Sequence, residues 1–303
     1  MAPSLQSLFS YAGSLLSQFG AQSPTSQFDS IQPRPISGSS SSSYYQPLSG
    51  APSCPIDGPI SCHNNTPIAG DSCCFVYPGG RMLLTQFWDQ KVHAGGAEED
   101  WTLHGLWPDL CDGTYDQFCH MTPTYNNITD VLEHGGQHEL LEFMNRYWLA
   151  ASGPNSRLWE HEYNKHATCI NTLAPTCYGD QHAPGVEVID YFTRATALFK
   201  TLDTYHALEK AGIVPHNRRH YPLVDIQSAL ETYSGGRVVL RCAGGRGSGS
   251  ILHEAWYVYF VKGSLQTGEF VPAKDLGREG DAGNCSPWVR YLPKRRTGSI
   301  DDL

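Results

Sequence analysis

Residues 255–261 read AWYVYFV and residues 82–88 read MLLTQFW. Each is a short apolar run, the pattern of a strand buried on both faces. Arg237–Leu240 (RVVL) reads as another. Between these runs the apolar period changes. Glu139–Trp148 brings Leu140, Leu141, Phe143, Met144, Tyr147 and Trp148 to helical spacing. Over Val186–Ala211, Ile189, Phe192, Leu198, Leu202, Tyr205 and Leu208 recur at helical intervals, and Gly212 follows as a helix-ending residue. Strands near both ends with helices between them predict an α+β fold, a mainly antiparallel central sheet flanked by helices. About 240 residues suffice for a single core of this kind.

The flanks differ in composition. Residues 1–50 are rich in Ser, Pro and Gln, with a serine run at Ser39–Ser43, and are expected to be a leader: a weak signal peptide, or a disordered or propeptide segment. Leu5, Leu8, Phe9, Leu15, Leu16 and Phe19 make its start mildly apolar, but no Lys or Arg precedes Arg34, so the usual basic n-region is missing. The folded domain is expected over 51–291. The tail, 292–303, carries Lys294-Arg295-Arg296 and reads as a solvated end.

Ten cysteines lie between Cys54 and Cys285, and 17% of the 303 residues are charged. An even cysteine count without paired CxxC knuckles points to disulfides and an oxidising compartment. Asn64-Asn65-Thr66 and Asn127-Ile128-Thr129 are N-glycan acceptor sequences, which makes Asn64 and Asn127 candidate sites. Secretion is therefore expected, with a vacuolar or lysosome-like compartment as the alternative. No apolar run approaches the roughly 20 residues of a membrane span. A net charge of −9 disfavours polyanion binding at neutral pH, but thirteen histidines would reverse the sign in acid.

Two clusters carry chemistry. In residues 158–169, LWEHEYNKHATC, helical i,i+4 spacing stacks His161 on Lys165 and Glu162 on His166. In residues 101–109, WTLHGLWPD, His104 stands among aromatics. A helix bearing His, Glu, Lys and His is commonly a solvated face. Here Trp159 and Cys169 tie it to the core, and its cations outnumber its carboxylates. A zinc site of the HExxH type is the competitor, but Lys165 occupies the position of the second ligand and His166 falls one residue too far. No metal or cofactor is expected. Imidazoles in different protonation states can act as base and acid in one step, and a lysine with a third imidazole can stabilise charge on a phosphoryl oxygen. If the nucleophile is an RNA 2′-hydroxyl, the protein supplies none and DNA is not a substrate. Trp107 and Tyr115 could stack on bases, and Asp109 could accept from a base amino group. A core aromatic or a turn-forming Pro-Asp would account for the same residues.

WTLHGLWPD and WEHEYNKHATC resemble the two active-site motifs of the ribonuclease T(2) family, acid endoribonucleases of broad base preference. Tyr163 stands where tryptophan is common there, and Ala167 where glycine is common. LLTQFWD, the Cys73-Cys74 pair and WYVYFVKG look like fungal members. The resemblance covers roughly Cys54 to Tyr291. It implies His166 as general base, His104 as general acid, His161 as a phosphate ligand, and Glu162 and Lys165 as stabilisers of the transition state. Trp107, Asp109 and Tyr115 would form the main base site. It also implies the disulfides Cys54–Cys73, Cys62–Cys111, Cys74–Cys177, Cys119–Cys169 and Cys242–Cys285. The expected product is a 2′,3′-cyclic phosphate, then a 3′-phosphate; the partner is RNA and the protein a monomer. A secreted RNA-binding or signalling protein without catalysis is the alternative.

Overall fold

The longest strand gathers the others. In the computed structural model, which describes residues 54–63, 72–90, 97–244, 250–274 and 283–295, AWYVYFV lies within a strand of 13 residues. In chain order the elements are β1 (Arg81–Phe87), β2 (Thr102–Asp109), α1 (Ile128–His134), α2 (His138–Tyr147), α3 (Asn155–Lys165), α4 (Val186–Phe199), α5 (Thr204–Lys210), β3 (His220–Pro222), α6 (Leu223–Ser234), β4 (Val238–Ala243), β5 (Ser250–Lys262), β6 (Glu269–Pro272) and β7 (Trp288–Arg290). The sheet runs β2-β1-β5-β7-β3, and β4 and β6 also pair with β5. Every pairing is antiparallel except β5 with β7. The fold is the expected α+β one.

Alternation along β1 and β5 divides the apolar side chains between two faces. Met82, Leu84, Tyr257 and Tyr259 face the main core, with Trp148, Trp159, Tyr163, Tyr191 and Phe192 from the helical side. Leu83, Val239, Val258 and Ala273 form a small cluster on the other face, with Trp107, Trp256 and Phe260 half-buried against it. The continuous apolar run of MLLTQFW is thus explained by burial on both sides.

Two expectations are corrected. The periodic stretch 186–211 is two helices, α4 and α5. Asp203 caps α5 by accepting from His206 N at 3.1 Å, and Thr204 buries its hydroxyl against Gln86 and Tyr257. Capping and a buried polar anchor override apolar periodicity. The disulfides pair Cys54 with Cys74 and Cys73 with Cys177, not Cys54 with Cys73 and Cys74 with Cys177. Ser72–Cys74 is a 3-10 turn whose consecutive side chains diverge by about 120°. The direction of each side chain therefore selects its partner, which the adjacency of Cys73 and Cys74 in the sequence does not reveal. The other bonds are Cys62–Cys111, Cys119–Cys169 and Cys242–Cys285.

The leader and Asn64 lie outside the described residues. Asn127 is exposed at the start of α1. The basic end is not simply solvated: the Lys294 ammonium lies 4.7 Å from the Trp88 ring centre and donates to the Asp100 carbonyl. Arg295 N donates to Gln90 O at 2.8 Å. Among the described residues no helix is long and apolar enough to cross a membrane.

Candidate active site

His104 owes its direction to an irregularity in β2. Gly105 pairs with Thr85 and Leu103 with Gln86, so His104 has no partner on β1. Such a bulge interrupts the two-residue alternation. Simple alternation would turn His104 the same way as Leu106, into the main core. Instead its ring stacks on Phe87 at 3.9 Å and meets Trp107 edge-on at 4.7 Å, on the opposite face of the sheet. Trp148 Nε1 donates to the His104 carbonyl at 2.7 Å, satisfying backbone that the ladder leaves free.

The same chain of indoles locates α3. Trp159 Nε1 donates to the Trp148 carbonyl at 2.9 Å. Tyr163 is fully buried and shares a 3.1 Å hydrogen bond with Thr122. The helix ends at Lys165, yet His166 N still donates to Glu162 O at 3.1 Å, so the i,i+4 relation of these two residues persists. A 3-10 turn, Ala167–Cys169, follows, and the Cys119–Cys169 bond ties it to the segment after β2.

The two clusters meet at Glu162, which is 0% exposed. Its Oε2 accepts from Trp107 Nε1 at 2.7 Å, while Oε1 has no hydrogen-bond partner. His104 Nε2 lies 3.5 Å from Oε1 and His166 Nε2 3.9 Å from Oε2. Two imidazole nitrogens from distant segments thus point at one carboxyl group. Gly105 permits the approach, because a methyl there would overlap the Glu162 carboxylate and lie 2.6 Å from Trp107 Nε1. His161 is exposed at the rim, its ring 6.5 Å from that of His166.

Burial, reinforced by His161, Lys165 and His253, pushes the His104 pKa down to about 3. Burial and then the charges of Lys165, His104 and His161 push His166 down to about 2. Burial pushes Glu162 up to about 8, although the Trp107 N–H and Lys165 favour its ionised form. His161 is lowered by burial and by Lys165. On these residues alone, the proton belongs to the carboxyl and both inner imidazoles are neutral bases. An anion placed among them would draw protons onto the imidazoles.

Trp107 is less free than a base-stacking residue needs to be: one face stacks on His166 at 4.9 Å and its N–H is committed to Glu162. Asp109 and Tyr115 are joined by an isolated bridge beyond Trp107, and Tyr115 is 60% exposed. The structure adds Phe87, Trp256 and Glu254, which sequence reading assigned to strands or passed over. The carboxylate just ahead of AWYVYFV was the available signal. Among the described residues, no three His, Cys, Asp or Glu side chains converge as metal ligands would.

Comparison with known proteins gives a consistent picture. Residues 79–273 match the model of the Ribonuclease T2 family. The chain is 47% identical to a ribonuclease T2 of Aspergillus oryzae over 231 residues, covering 76% of this chain and 80% of that protein. It is 46% identical to a ribonuclease T2-like protein of Aspergillus fumigatus, covering 74% of this chain but only 53% of the relative. Among solved structures, Actibind, described as a T2 ribonuclease, superposes with a TM-score of 0.73 at 41% identity, covering 81% of this chain and 100% of that one.

Proposed function

The chain is a member of the ribonuclease T2 family and an RNA endonuclease, and from that premise we propose that it cleaves single-stranded RNA by metal-independent transphosphorylation. The observation that carries this reading is the convergence of His104 Nε2 and His166 Nε2 on Glu162.

His166 is the general base. Held neutral well below its ordinary range, it can take the 2′-hydroxyl proton even in acid. The 2′-oxygen attacks phosphorus, and the 5′-oxygen leaves with a proton from His104. His104 must enter that step charged, although burial keeps it neutral on its own. The negative charge of the phosphodiester supplies the missing stabilisation. His161, at the rim, binds the phosphate. Glu162 would repel the phosphoryl oxygens as an anion; as the neutral acid that burial favours, it can donate to one of them, beside the Lys165 charge. Trp107, Asp109 and Tyr115 line the main base site, with Tyr115 open to stack on a base. The 2′,3′-cyclic product is then hydrolysed to a 3′-phosphate. DNA, without a 2′-hydroxyl, is not cleaved.

The enzyme works as a monomer over residues 51–291, behind a leader spanning 1–50, and is exported or delivered to a vacuole-like compartment. Support comes from ten cysteines paired in five bonds and from an exposed acceptor at Asn127. Cleavage of RNA and DNA side by side in excess EDTA tests the reaction. RNA should yield cyclic-phosphate ends at an undiminished rate, with a bell-shaped pH profile peaking on the acid side. EDTA-sensitive cleavage, or a maximum at or above pH 8, would overturn the mechanism; binding without cleavage would favour the inactive RNA-binding alternative.

A further inference from the structure

We propose that Glu254 is a positioning residue for His104, holding the ring with its permanent proton on Nδ1 so that Nε2 alone exchanges protons with the leaving oxygen. The proposal rests on the general-acid role given to His104 above.

Glu254 lies on β5 opposite Phe87, the residue on which the His104 ring is stacked. Its side chain is 13% exposed. Oε2 accepts from Trp256 Nε1 at 2.6 Å, which fixes the carboxylate. Trp256 in turn meets the Arg241 guanidinium, 4.9 Å from its ring centre, and packs T-shaped with Trp107, ring centres 5.2 Å apart. The second oxygen, Oε1, lies 3.6 Å from His104 Nδ1, a buried nitrogen with no hydrogen-bond partner. Glu162 stands at the other nitrogen, 3.5 Å away. The imidazole is thus bracketed by two carboxyl groups and backed by a ring that resists its rotation.

The carboxyl groups are unequal. Glu162 is sealed and pushed strongly toward its neutral form. Glu254 is also raised by burial, but the Trp256 N–H, His253 and Arg241 all favour its anion. His253 Nε2 is 4.0 Å from Oε1. His104 itself faces the positive charges of His161, Lys165 and His253. Glu254 is therefore the group that can offset this positive field as an anion.

An ionised carboxylate only accepts, so it selects the tautomer with hydrogen on Nδ1. In the cleavage step the proton passes from Nε2 to the 5′-oxygen as the P–O5′ bond breaks. The ring is left neutral with its Nδ1 proton still facing Glu254, which neither gains nor loses a proton. The other tautomer would set a lone pair against the carboxylate. A gap of 3.6 Å is loose for a hydrogen bond, and one that tightens when the imidazole becomes charged suits a group needed only in that state.

Glu254→Ala and Glu254→Gln test this in the full chain, with His104→Ala beside them. On a dinucleoside phosphate, Glu254→Ala should lower kcat by about 10- to 100-fold, with KM moving less than about threefold. The alkaline limb of its pH profile should move to lower pH, because the imidazolium has lost its counter-charge. Glu254→Gln keeps an acceptor without charge and should fall between. A uridine 3′-(4-nitrophenyl phosphate), whose leaving group needs no acid, should restore near wild-type rates in Glu254→Ala and largely rescue His104→Ala. Nitrogen-15 shifts of His104 should show hydrogen on Nδ1 in the wild type and a mixture in Glu254→Ala. Equal slowing on both substrates, an unmoved limb or an unchanged tautomer would overturn the proposal. If the activated substrate fails to rescue His104→Ala, the acid role falls and this inference falls with it.

Discussion

Glu162 and Glu187 are both 0% exposed, both on helices, and both close to a histidine and an aromatic donor. Their surroundings differ in completeness. Glu187 Oε1 accepts from the Tyr125 hydroxyl at 2.7 Å and Oε2 lies 3.1 Å from His182 Nε2, so each oxygen is engaged. Glu162 has one engaged oxygen and one orphan, with two imidazoles just outside hydrogen-bond range. A satisfied buried carboxylate fastens segments together. One left incomplete beside groups that trade protons is prepared for something that arrives from outside.

The contrast can be broken most forcefully at the imidazoles. His104→Ala and His166→Ala should each lower kcat on RNA by about 10²- to 10⁴-fold while the thermal transition stays near wild type. A variant keeping more than roughly a tenth of the rate would remove the ground for separating the two glutamates. Glu162→Gln should cost about 10- to 100-fold in kcat, because an amide N–H is a weaker donor to a charged phosphoryl oxygen than a neutral carboxylic acid.

That variant also has a distinctive stability profile. The folded-state pKa of Glu162, about 8, lies above its ordinary 4.5. The native state therefore holds this proton more tightly than the unfolded chain. The resulting stability is fully present below pH 4.5 and is lost as pH rises through 8. His104 and His166 act oppositely: their contribution is present above 6.5 and lost as pH falls through about 3 and about 2. Urea titrations across pH should show Glu162→Gln lacking the alkaline decline and exceeding wild type at pH 8 by about 1–3 kcal/mol.

Gly105→Ala sharpens the comparison from the backbone side. It should displace the Glu162 carboxylate, destabilise by about 1–3 kcal/mol and reduce kcat, whereas a methyl at an open position such as Gly58 meets no atom. The smallest kinetic effect belongs to Glu187→Ala. Leaving the Tyr125 hydroxyl and His182 without their acceptor should cost about 1–3 kcal/mol in denaturant unfolding, with kcat within about twofold of wild type. A large loss of kcat there would mean the two buried acids are not functionally distinct.

Much of this was legible in the chain. AWYVYFV and MLLTQFW announce strands because apolar runs without helical period have few other homes, and both fall in the sheet. His161, Glu162, Lys165 and His166 are linked by a helical spacing that depends on local geometry alone. What stayed hidden depends on directions set by tertiary contacts. Alternation cannot reveal that His104 is an extra residue in its ladder, since the partner strand defines the register. Nor can it show that Glu254 turns toward His104, or which of Cys73 and Cys74 faces Cys177. The break before Asp203 had a signal, an Asp-Thr capping pair, which the continuing leucines masked.

The unpaired residue in β2 has a consequence for how such a protein can change. Side chains in a strand change sides with every residue, so removing one position between Leu103 and Gly105 would give a more regular ribbon. It would also remove the imidazole that β2 presents beside Phe87 and Trp107. Length variation is ordinarily harmless in surface connections and damaging in sheets. Here a change of one residue in chain length, with no other substitution, would separate a reactive sheet from an inert one.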